Sequence, residues 1–390
     1  MSASTVTGLA ASKRDGLHLD PVIIMLASAL LLMGLVMVTS ASVTLAAREG
    51  NPFFYLERQF MFSIFGVGCA AVAVRIPTIT WQRSGFMLLI ISLVMLVLVL
   101  VPGIGHSVNG SRRWIHLAGL NFQASEAARV LLLIYLCSYV VRREEELRTK
   151  LLGFLKPLGI LAIAGALLLV EPDFGSGVVL LATGIGVMFL AGARLRNVLI
   201  ICAVAAVGLA LIAVSSAYRV KRLTAFMNPW ADPFNTGFQL TQSLIAIGRG
   251  EWTGVGLGAS VQKLFYLPEA HTDFVFAVLA EELGFVGIAV VVALVLALSY
   301  RALVIARNAS EAGLKFQSYL AAAFGIWFGL QAFINMGVNM GLLPTKGLTL
   351  PLLSYGRSSL VVTLAWIGIL LRVHHETESK GVTALRGAGR

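Results

Sequence analysis

The sequence is poor in charge, because Lys, Arg, Asp and Glu together make up 13% of its 390 residues. Ordinary soluble domains carry about 25% charged residues. Hydrophobic residues reach 58% and the mean hydropathy is +0.86, so the composition excludes a soluble globular domain. We therefore expect a polytopic membrane protein, to which the size rules for soluble domains do not apply.

Cysteine and the common motifs of cofactor and metal sites are also scarce. The three cysteines, Cys69, Cys137 and Cys202, each lie inside an apolar run. An odd number in such positions excludes a disulfide framework and predicts small buried hydrophobic side chains. No P-loop, Rossmann glycine pattern, HExxH sequence or Cys/His cluster occurs, so nucleotide and zinc sites of those kinds are not predicted.

Long apolar stretches, in contrast, are abundant. Each holds roughly 17–25 mostly apolar residues, enough for a helix to cross ~30 Å of hydrocarbon. They cover about 21–45, 54–74, 85–101, 124–141, 155–170, 174–191, 197–216, 274–300, 316–340 and 357–371. The predicted fold class is an all-α polytopic membrane protein with ten transmembrane helices and a long extracytoplasmic loop between the seventh and the eighth.

The lysines and arginines orient these helices. With the N-terminus in the cytoplasm, 18 of the 30 lie in cytoplasmic segments and 12 outside, five of them in the long loop, which the positive-inside rule discounts. We predict cytoplasmic tails at 1–20 and 373–390, a membrane domain at 21–372, and a periplasmic loop at 218–272. The net charge of +11 then reflects basic cytoplasmic loops and anionic lipids, with no nucleic-acid partner.

The interval 219–287 is the one long polar stretch of the chain. It begins with a basic cluster of Arg219, Lys221 and Arg222, and it delivers Asp273 to the mouth of the next apolar helix. A charged residue at a membrane boundary is costly unless it is paired or solvated, so Asp273 is the first candidate for a functional carboxylate. The alternative is that Asp273 only caps this helix.

Two shorter outer segments carry further polar groups. Residues 106–126 have an apolar side and the arginines Arg112 and Arg113, which predicts a segment lying in the membrane interface, either as part of a site or as a plain anchor. The turn EPDFG at 171–175 places two carboxylates between two spans, where they either belong to the site or lie in a solvated corner.

A third outer segment, 342–359, contains helix-breaking prolines and glycines within apolar sequence. Non-helical backbone at membrane depth is tolerated where protein buries it or where it lines a cavity. We expect a cavity wall with Lys346 and Arg357 available to an anion, and a purely structural re-entrant loop is the alternative.

At these motifs the chain resembles the SEDS family (shape, elongation, division, sporulation). The similarity covers essentially the whole chain from the first span to the last. The segments that carry it include NGSRRWI (109–115), NPWADPF (228–234), GFQLTQS (237–243), YLPEAHTDF (266–274) and LLPTKGLTLPLLSYG (342–356). Three residues depart from the expected pattern, namely Ala124, Phe265 and Arg357, which stand where Pro, Glu and Gly are usual.

The resemblance implies a glycosyltransferase at the division septum of the inner membrane that polymerises lipid II into peptidoglycan strands, with Asp273 as general base. We expect the substrate to contact Arg113, Arg219, Lys263, His271, Glu281, Lys346 and Ser354. Glu281 lies about 80° from Asp273 around the helix and Glu282 about 180°, so Glu282 is expected to pair with another helix. A divalent metal, Mg or Mn, could share the work of the cations.

The expected partners are a class B penicillin-binding protein, other membrane proteins of the division complex, and membrane lipids. Two other functions stay open at this point. A lipid II flippase would need a polar path across the bilayer, whereas a non-enzymatic division scaffold would have no use for Asp273.

The first prediction concerns topology. After replacement of the three native cysteines, single cysteines at Ser4 and Ser260 should react with an impermeant thiol reagent from opposite sides of the membrane. Labelling of both positions from one side would overturn the assigned orientation.

Overall fold

The computed structural model describes residues 17–48, 50–108, 111–117, 120–214, 220, 224, 226–344 and 347–388. A short 3-10 turn covers Pro229–Ala231. The helices are α1 Pro21–Arg48, α2 Phe54–Arg75, α3 Thr78–Arg83, α4 Gly85–Leu100, α5 Ala124–Arg142, α6 Glu144–Thr149, α7 Leu151–Val170, α8 Phe174–Leu190, α9 Leu195–Val214, α10 Phe238–Gly250, α11 Val275–Glu311, α12 Lys315–Asn339 and α13 Arg357–Ala388. The strands are β1 Gly105–Val108, β2 Ser111–Leu117 and β3 Leu120–Gln123.

Seven helices among the described residues are long and apolar enough to cross a membrane, so the polytopic helical fold is confirmed. They are α1, α2, α5, α7, α11, α12 and the Arg357–Lys380 part of α13. The other three predicted spans coincide with α4, α8 and α9, whose apolar segments are shorter. Helices α4 and α8 have 16 and 17 residues, below the roughly 20 that a full crossing usually takes.

One outer segment departs from the helical pattern, because residues 105–108, 111–117 and 120–123 form a three-stranded antiparallel sheet in the order β1-β2-β3. The apolar residues that suggested an interfacial segment pair across it, with Ile115 opposite Phe122 and Leu117 opposite Leu120. Branched and aromatic side chains in an alternating pattern favour a pleated strand. The sheet leads directly into α5, and the Gln123 backbone N–H donates to Ser358 Oγ at 2.9 Å.

Helices α5, α12 and α13 form the interior of the bundle. About three quarters of their apolar windows are buried, 78% in α5 and 72% in the other two, against 28% in α2 and α11. Trp327 of α12 and Trp366 of α13 contact each other with ring centroids 4.8 Å apart. Small residues let α11 and α12 approach, because a Cβ at Gly325 would lie 3.0 Å from the Ser299 carbonyl oxygen.

Cysteine burial follows the same inside-to-outside order. Cys137 on α5 is buried and Cys69 is half-buried, as an apolar setting suggests, but Cys202 on α9 is exposed. The prediction of burial is wrong for Cys202, because apolar residues on an outer membrane helix face lipid without being covered by protein.

Helix α11 is broken at Gly284, where φ is 65° and ψ is −161°. The segment 251–256 satisfies the backbone groups that the break releases. Val255 N and Gly256 N donate to the carbonyls of Glu281 and Glu282 at 3.0 and 3.1 Å. In the other direction, Phe285 N and Val286 N donate to the carbonyls of residues 251 and 252 at 2.9 and 3.1 Å. The break is therefore sealed by protein, as non-helical backbone in a membrane requires.

The predicted long loop contains a helix of its own, α10. Its buried face includes Leu240, Ser243 and Ala246, and Ser243 Oγ donates to the Asn339 carbonyl at 2.8 Å. A Cβ at Gly250 would lie 1.9 Å from the Ala280 carbonyl oxygen, so the end of α10 touches the α11 backbone.

The exposure of the loop residues bears on the cysteine-labelling test of topology. Ser260 is only 3% exposed, whereas Phe234 is 83% exposed, so Phe234 is the better position for the outer cysteine.

The last helix extends beyond the predicted span. Helix α13 continues through the expected tail to Ala388. Glu376 holds this extension, because it accepts from Thr78 N at 2.9 Å and from Gln317 Nε2 at 3.1 Å. Ion pairing with Arg372 at 2.7 Å completes its contacts.

The second prediction tests the sealed break. Cβ atoms at Gly254 and Gly284 would lie 2.1 Å from the Glu282 carbonyl oxygen and 2.3 Å from Gly254 N, both at positive φ. Gly254→Ala and Gly284→Ala should each lower stability by more than the ~1–2 kcal/mol of a left-handed conformation alone. Thermal unfolding in detergent measures this loss.

Gly248 of α10 is the matched control, because nothing lies within 4 Å of its Cβ position. Gly248→Ala should be neutral or stabilising by up to ~1 kcal/mol. Equal unfolding midpoints for all three variants would contradict the assignment of 251–256 as the segment that seals the break.

Candidate active site

Asp273 is held in place by α12. Its carbonyl oxygen accepts from Asn335 Nδ2 at 2.9 Å and from Asn339 Nδ2 at 3.0 Å. Asn335 also donates to the Leu348 carbonyl at 2.6 Å, and Asn339 Oδ1 accepts from Ala277 N at 3.2 Å. The two asparagines therefore fix the start of α11 against 347–356. Sequence reasoning missed them, although buried amides four residues apart on an apolar helix are a usable signal.

The Asp273 carboxylate itself does not cap α11. The N-cap residue Phe274 makes no side-chain cap, and the first-turn N–H of Ala277 donates to Asn339 Oδ1 of α12. The alternative of a purely capping carboxylate therefore has no support in the geometry.

Arg113 and Asp273 both approach Gly347. The Cβ position of Gly347 lies 3.2 Å from Asp273 Oδ2 and 3.8 Å from Arg113 Nη1. On its other edge Arg113 donates from Nε to the Glu171 carbonyl at 3.2 Å and from Nη2 to the Pro172 carbonyl. The structure thus brings the three short outer segments of the sequence analysis together around Asp273.

Burial dominates the electrostatics of the carboxyl groups here. It raises the pKa of Asp273 to about 7, with a further rise from Glu269 and Asp173 and an opposing effect from Arg113. Burial likewise raises the pKa of Glu171 to about 8, reinforced by Asp173. A carboxylate with a pKa near neutral is matched to general base catalysis at neutral pH.

His271 and Ser354 lie near this centre in different roles. His271 packs against the rings of Tyr55 and Tyr355 at centroid distances of 4.7 and 5.6 Å, and burial lowers its pKa. Ser354 is buried, and its Oγ accepts from Leu350 N at 2.8 Å. This hydrogen bond closes the turn formed by residues 350–354.

Lys263 lies in a buried ion pair. Its Nζ donates to Glu282 Oε1 at 2.9 Å, to Ser40 Oγ at 3.0 Å and to the Gly258 carbonyl at 2.7 Å. Ser40 of α1 also donates to Glu282 Oε1 at 2.6 Å, so Glu282 pairs with another helix as predicted. In this arrangement the charge of Lys263 stabilises contacts inside the protein.

Glu281 faces the same loop. It is fully buried, pairs with Arg249 Nη1 at 2.8 Å and accepts from Val261 N at 3.1 Å and from Ser260 Oγ. Glu281 and Glu282 therefore anchor 258–263 to α11. The remaining predicted contacts, Arg219 and Lys346, lie outside the described residues.

A second buried charged group lies on α5. Glu126 and Arg129 form an ion pair, and Arg129 Nη1 donates to Gln331 Oε1 of α12 at 3.1 Å. Asp173 contacts the same helix, accepting from Ser125 Oγ at 3.0 Å. Polar residues within the apolar α5 sequence were the available signal for this group.

In the described part of the chain, no cluster of three or more His, Cys, Asp or Glu side chains could hold a metal.

Comparison with known proteins gives a consistent result. Residues 20–379 match the cell cycle protein family of FtsW, RodA and SpoVE. The chain is 55% identical to the "Probable peptidoglycan glycosyltransferase FtsW" of Thioalkalivibrio sulfidiphilus, with 92% of each chain covered. It is 49% identical to the protein of that name from Hahella chejuensis, with 97% of this chain and 95% of the relative covered.

Solved structures share the fold. One, described as "Structural coordination of polymerization and crosslinking by a peptidoglycan synthase complex", has a TM-score of 0.76 at 29% identity, covering 93% of this chain and 99% of the other. The rod shape determining protein RodA of Thermus thermophilus gives 0.69 at 28% identity, covering 93% and 98%. The chain therefore belongs to the SEDS family, the FtsW, RodA and SpoVE cell cycle proteins.

Proposed function

We propose that this chain is a peptidoglycan glycosyltransferase that polymerises lipid II into glycan strands at the outer face of the cytoplasmic membrane during cell division. The observation that carries the proposal is a partly buried carboxylate, Asp273, whose Oδ2 lies with Arg113 Nη1 within 4 Å of the Gly347 Cβ position. The family and the named activity of its relatives support it.

In the proposed reaction, Asp273 takes the proton of the acceptor sugar's 4-hydroxyl as that oxygen attacks the anomeric carbon of the donor. The bond from this carbon to the pyrophosphate oxygen breaks, and polyprenyl pyrophosphate leaves with the bonding electrons. A single displacement inverts the configuration and needs one base to activate the nucleophile, as in inverting hydrolases. A pKa of about 7 for Asp273 suits that task.

Arg113 is the proposed cation for the leaving group. Its Nε and Nη2 are bound to backbone carbonyls, which fixes the guanidinium plane and leaves Nη1 on the Asp273 side. Negative charge grows on the pyrophosphate in the transition state, and a fixed cation stabilises it without reorganisation. We propose Arg219 and Lys346 as further cations that stabilise the leaving group.

A divalent metal, Mg or Mn, also stays in the proposal. Mg²⁺ is commonly held by one or two carboxylates together with substrate phosphates, so a protein cluster of three ligands is not required. It would be held mainly through the substrate phosphates, beside Asp273, and would add positive charge at the pyrophosphate.

The rival function of a lipid II flippase receives less support. A flippase needs a polar path through the bundle, but the charged pair Glu126 and Arg129 on α5 is buried and ion-paired. The polar groups around Asp273 instead gather at one end of the helices.

The proposed partner is a class B penicillin-binding protein, with other division proteins around it. The similarity to a peptidoglycan synthase complex supports this partner.

The third prediction is that Asp273→Asn abolishes polymerisation while the protein still folds and inserts. The substitution keeps the shape and removes the proton-accepting charge, and a general base contributes typically 10²–10⁴-fold. Turnover of lipid II by purified protein measures it. Asp232→Asn is the control, because Asp232 bonds to Asn235 and Thr236 of its own turn in the long loop. Activity of Asp273→Asn within a few-fold of wild type would end the catalytic assignment.

The fourth prediction separates Arg113 from Lys263. Arg113→Ala should fold and lose a charge-assisted contact worth about 1.5–3 kcal/mol, seen as weaker use of the donor. Lys263→Ala should instead unfold more easily, because removing one partner of a buried ion pair costs about 3–5 kcal/mol.

The double variant Lys263→Met, Glu282→Gln removes both charges and should recover most of the stability. If it folds but does not polymerise lipid II, Lys263 acts on the substrate and its structural assignment is wrong.

A further inference from the structure

Glu171 is a buried carboxyl group that the proposed reaction does not use. It is 0% exposed at the end of α7, and neither of its carboxyl oxygens has a hydrogen-bond partner among the described residues. Asp173, two residues later, is satisfied by Ser125 Oγ at 3.0 Å and Ser176 Oγ at 2.7 Å. The two acids of this turn therefore differ: the Asp173 carboxylate is hydrogen-bonded, whereas the Glu171 carboxyl group is not.

The backbone of Glu171 is tied to the candidate active site. Its carbonyl accepts from Arg113 Nε at 3.2 Å, and the next carbonyl, that of Pro172, accepts from Arg113 Nη2. One edge of the guanidinium is therefore fixed by this turn, while Nη1 faces Gly347 and Asp273. The Glu171 carboxyl also lies within the electrostatic range of Arg113 and Asp173.

We propose that Glu171 is a positioning residue for Arg113: its backbone carbonyl orients the guanidinium, and its buried carboxyl, which has no hydrogen-bond partner among the described residues, stays uncharged. An uncharged Glu171 leaves the positive charge of Arg113 to Asp273 and to the leaving pyrophosphate. This inference rests on the proposed function, and it adds a condition to that function. Arg113 serves the reaction only while the acid beside it is protonated.

The physical reason is the cost of an unpaired charge. An ionised carboxylate without hydrogen bonds is strongly disfavoured in a buried site, so the group keeps its proton. Burial raises the pKa of Glu171 to about 8, and Asp173 raises it further against the pull of Arg113. Above that pH the carboxylate forms, attracts the guanidinium and competes with Asp273 for it.

The other charged groups around this turn do not replace Arg113 in the described part of the chain. Helix α5 packs against α8 and contributes Glu126 and Arg129, which form an ion pair with each other. Asp173 is an acid and supplies no positive charge, and Asp273 approaches Gly347 together with Arg113 Nη1. The competition for Arg113 is therefore between Asp273 and Glu171.

The fifth prediction is a change in the pH profile. With full-length protein and lipid II, the KM of the wild type should rise several-fold as the pH passes 8, because Glu171 ionises. In Glu171→Gln the KM should stay flat over this range, with turnover at neutral pH within about two-fold of wild type. Asp232→Asn is the control and should keep the wild-type profile.

Two kinetic outcomes would overturn the inference. One is an alkaline rise in KM that persists unchanged in Glu171→Gln. The other is a folded Glu171→Gln that is inactive at neutral pH, which would make the ionised form the working one.

A readout without turnover separates this inference from the proposed function. Infrared spectroscopy of the wild type should show a protonated carboxyl band that is lost near pH 8 and is missing in Glu171→Gln. If Glu171 is already ionised at neutral pH, the inference fails whatever the activity. An active Asp273→Asn variant would instead contradict the assignment of Asp273 as general base, and the infrared result for Glu171 would be unaffected.

Discussion

The break of α11 at Gly284 is the constraint on which the outer half of the structure depends. A broken helix in a membrane releases carbonyl and N–H groups that water cannot satisfy. The segment 251–256 takes up four of them. Because Glu281 and Glu282 lie directly before the break, their side chains then fix 258–263, through which the chain must pass to reach Asp273. The position of the candidate base thus follows from backbone hydrogen bonding about three turns further along the helix.

Charged side chains in this chain divide by whether the fold gives them a partner. Lys263 with Glu282 and Glu126 with Arg129 are paired and buried, which stabilises the packing of loop on helix and helix on helix. Neither carboxyl oxygen of Glu171 has a hydrogen-bond partner among the described residues. Burial raises the pKa values of Asp273 and Glu171 to about 7 and about 8. Buried acids with such shifted pKa values are good candidates for proton chemistry.

Hydropathy was sufficient to place the seven long spans, because each is set by its own local sequence, and the Asp273 region stood out for the same reason. The features that local sequence did not predict are contacts between distant segments. Strands β1 to β3 depend on pairing, the break of α11 depends on 251–256, and the role of Lys263 depends on Ser40 of α1. Asn335 and Asn339 were missed because an amide on an apolar helix does not reveal what it binds.

The unusual Phe265 shows how the loop before Asp273 is held on its second side. The Arg48 guanidinium at the end of α1 lies 3.5 Å from the centre of the Phe265 ring, a cation–π contact. Thr44 of the same helix donates to the Lys263 carbonyl at 3.0 Å. A carboxylate at 265 would pair with Arg48 through charge, whereas the ring does so with less dependence on ionic strength. Helix α1 and the residues just before the α11 break therefore hold 258–265 from two sides.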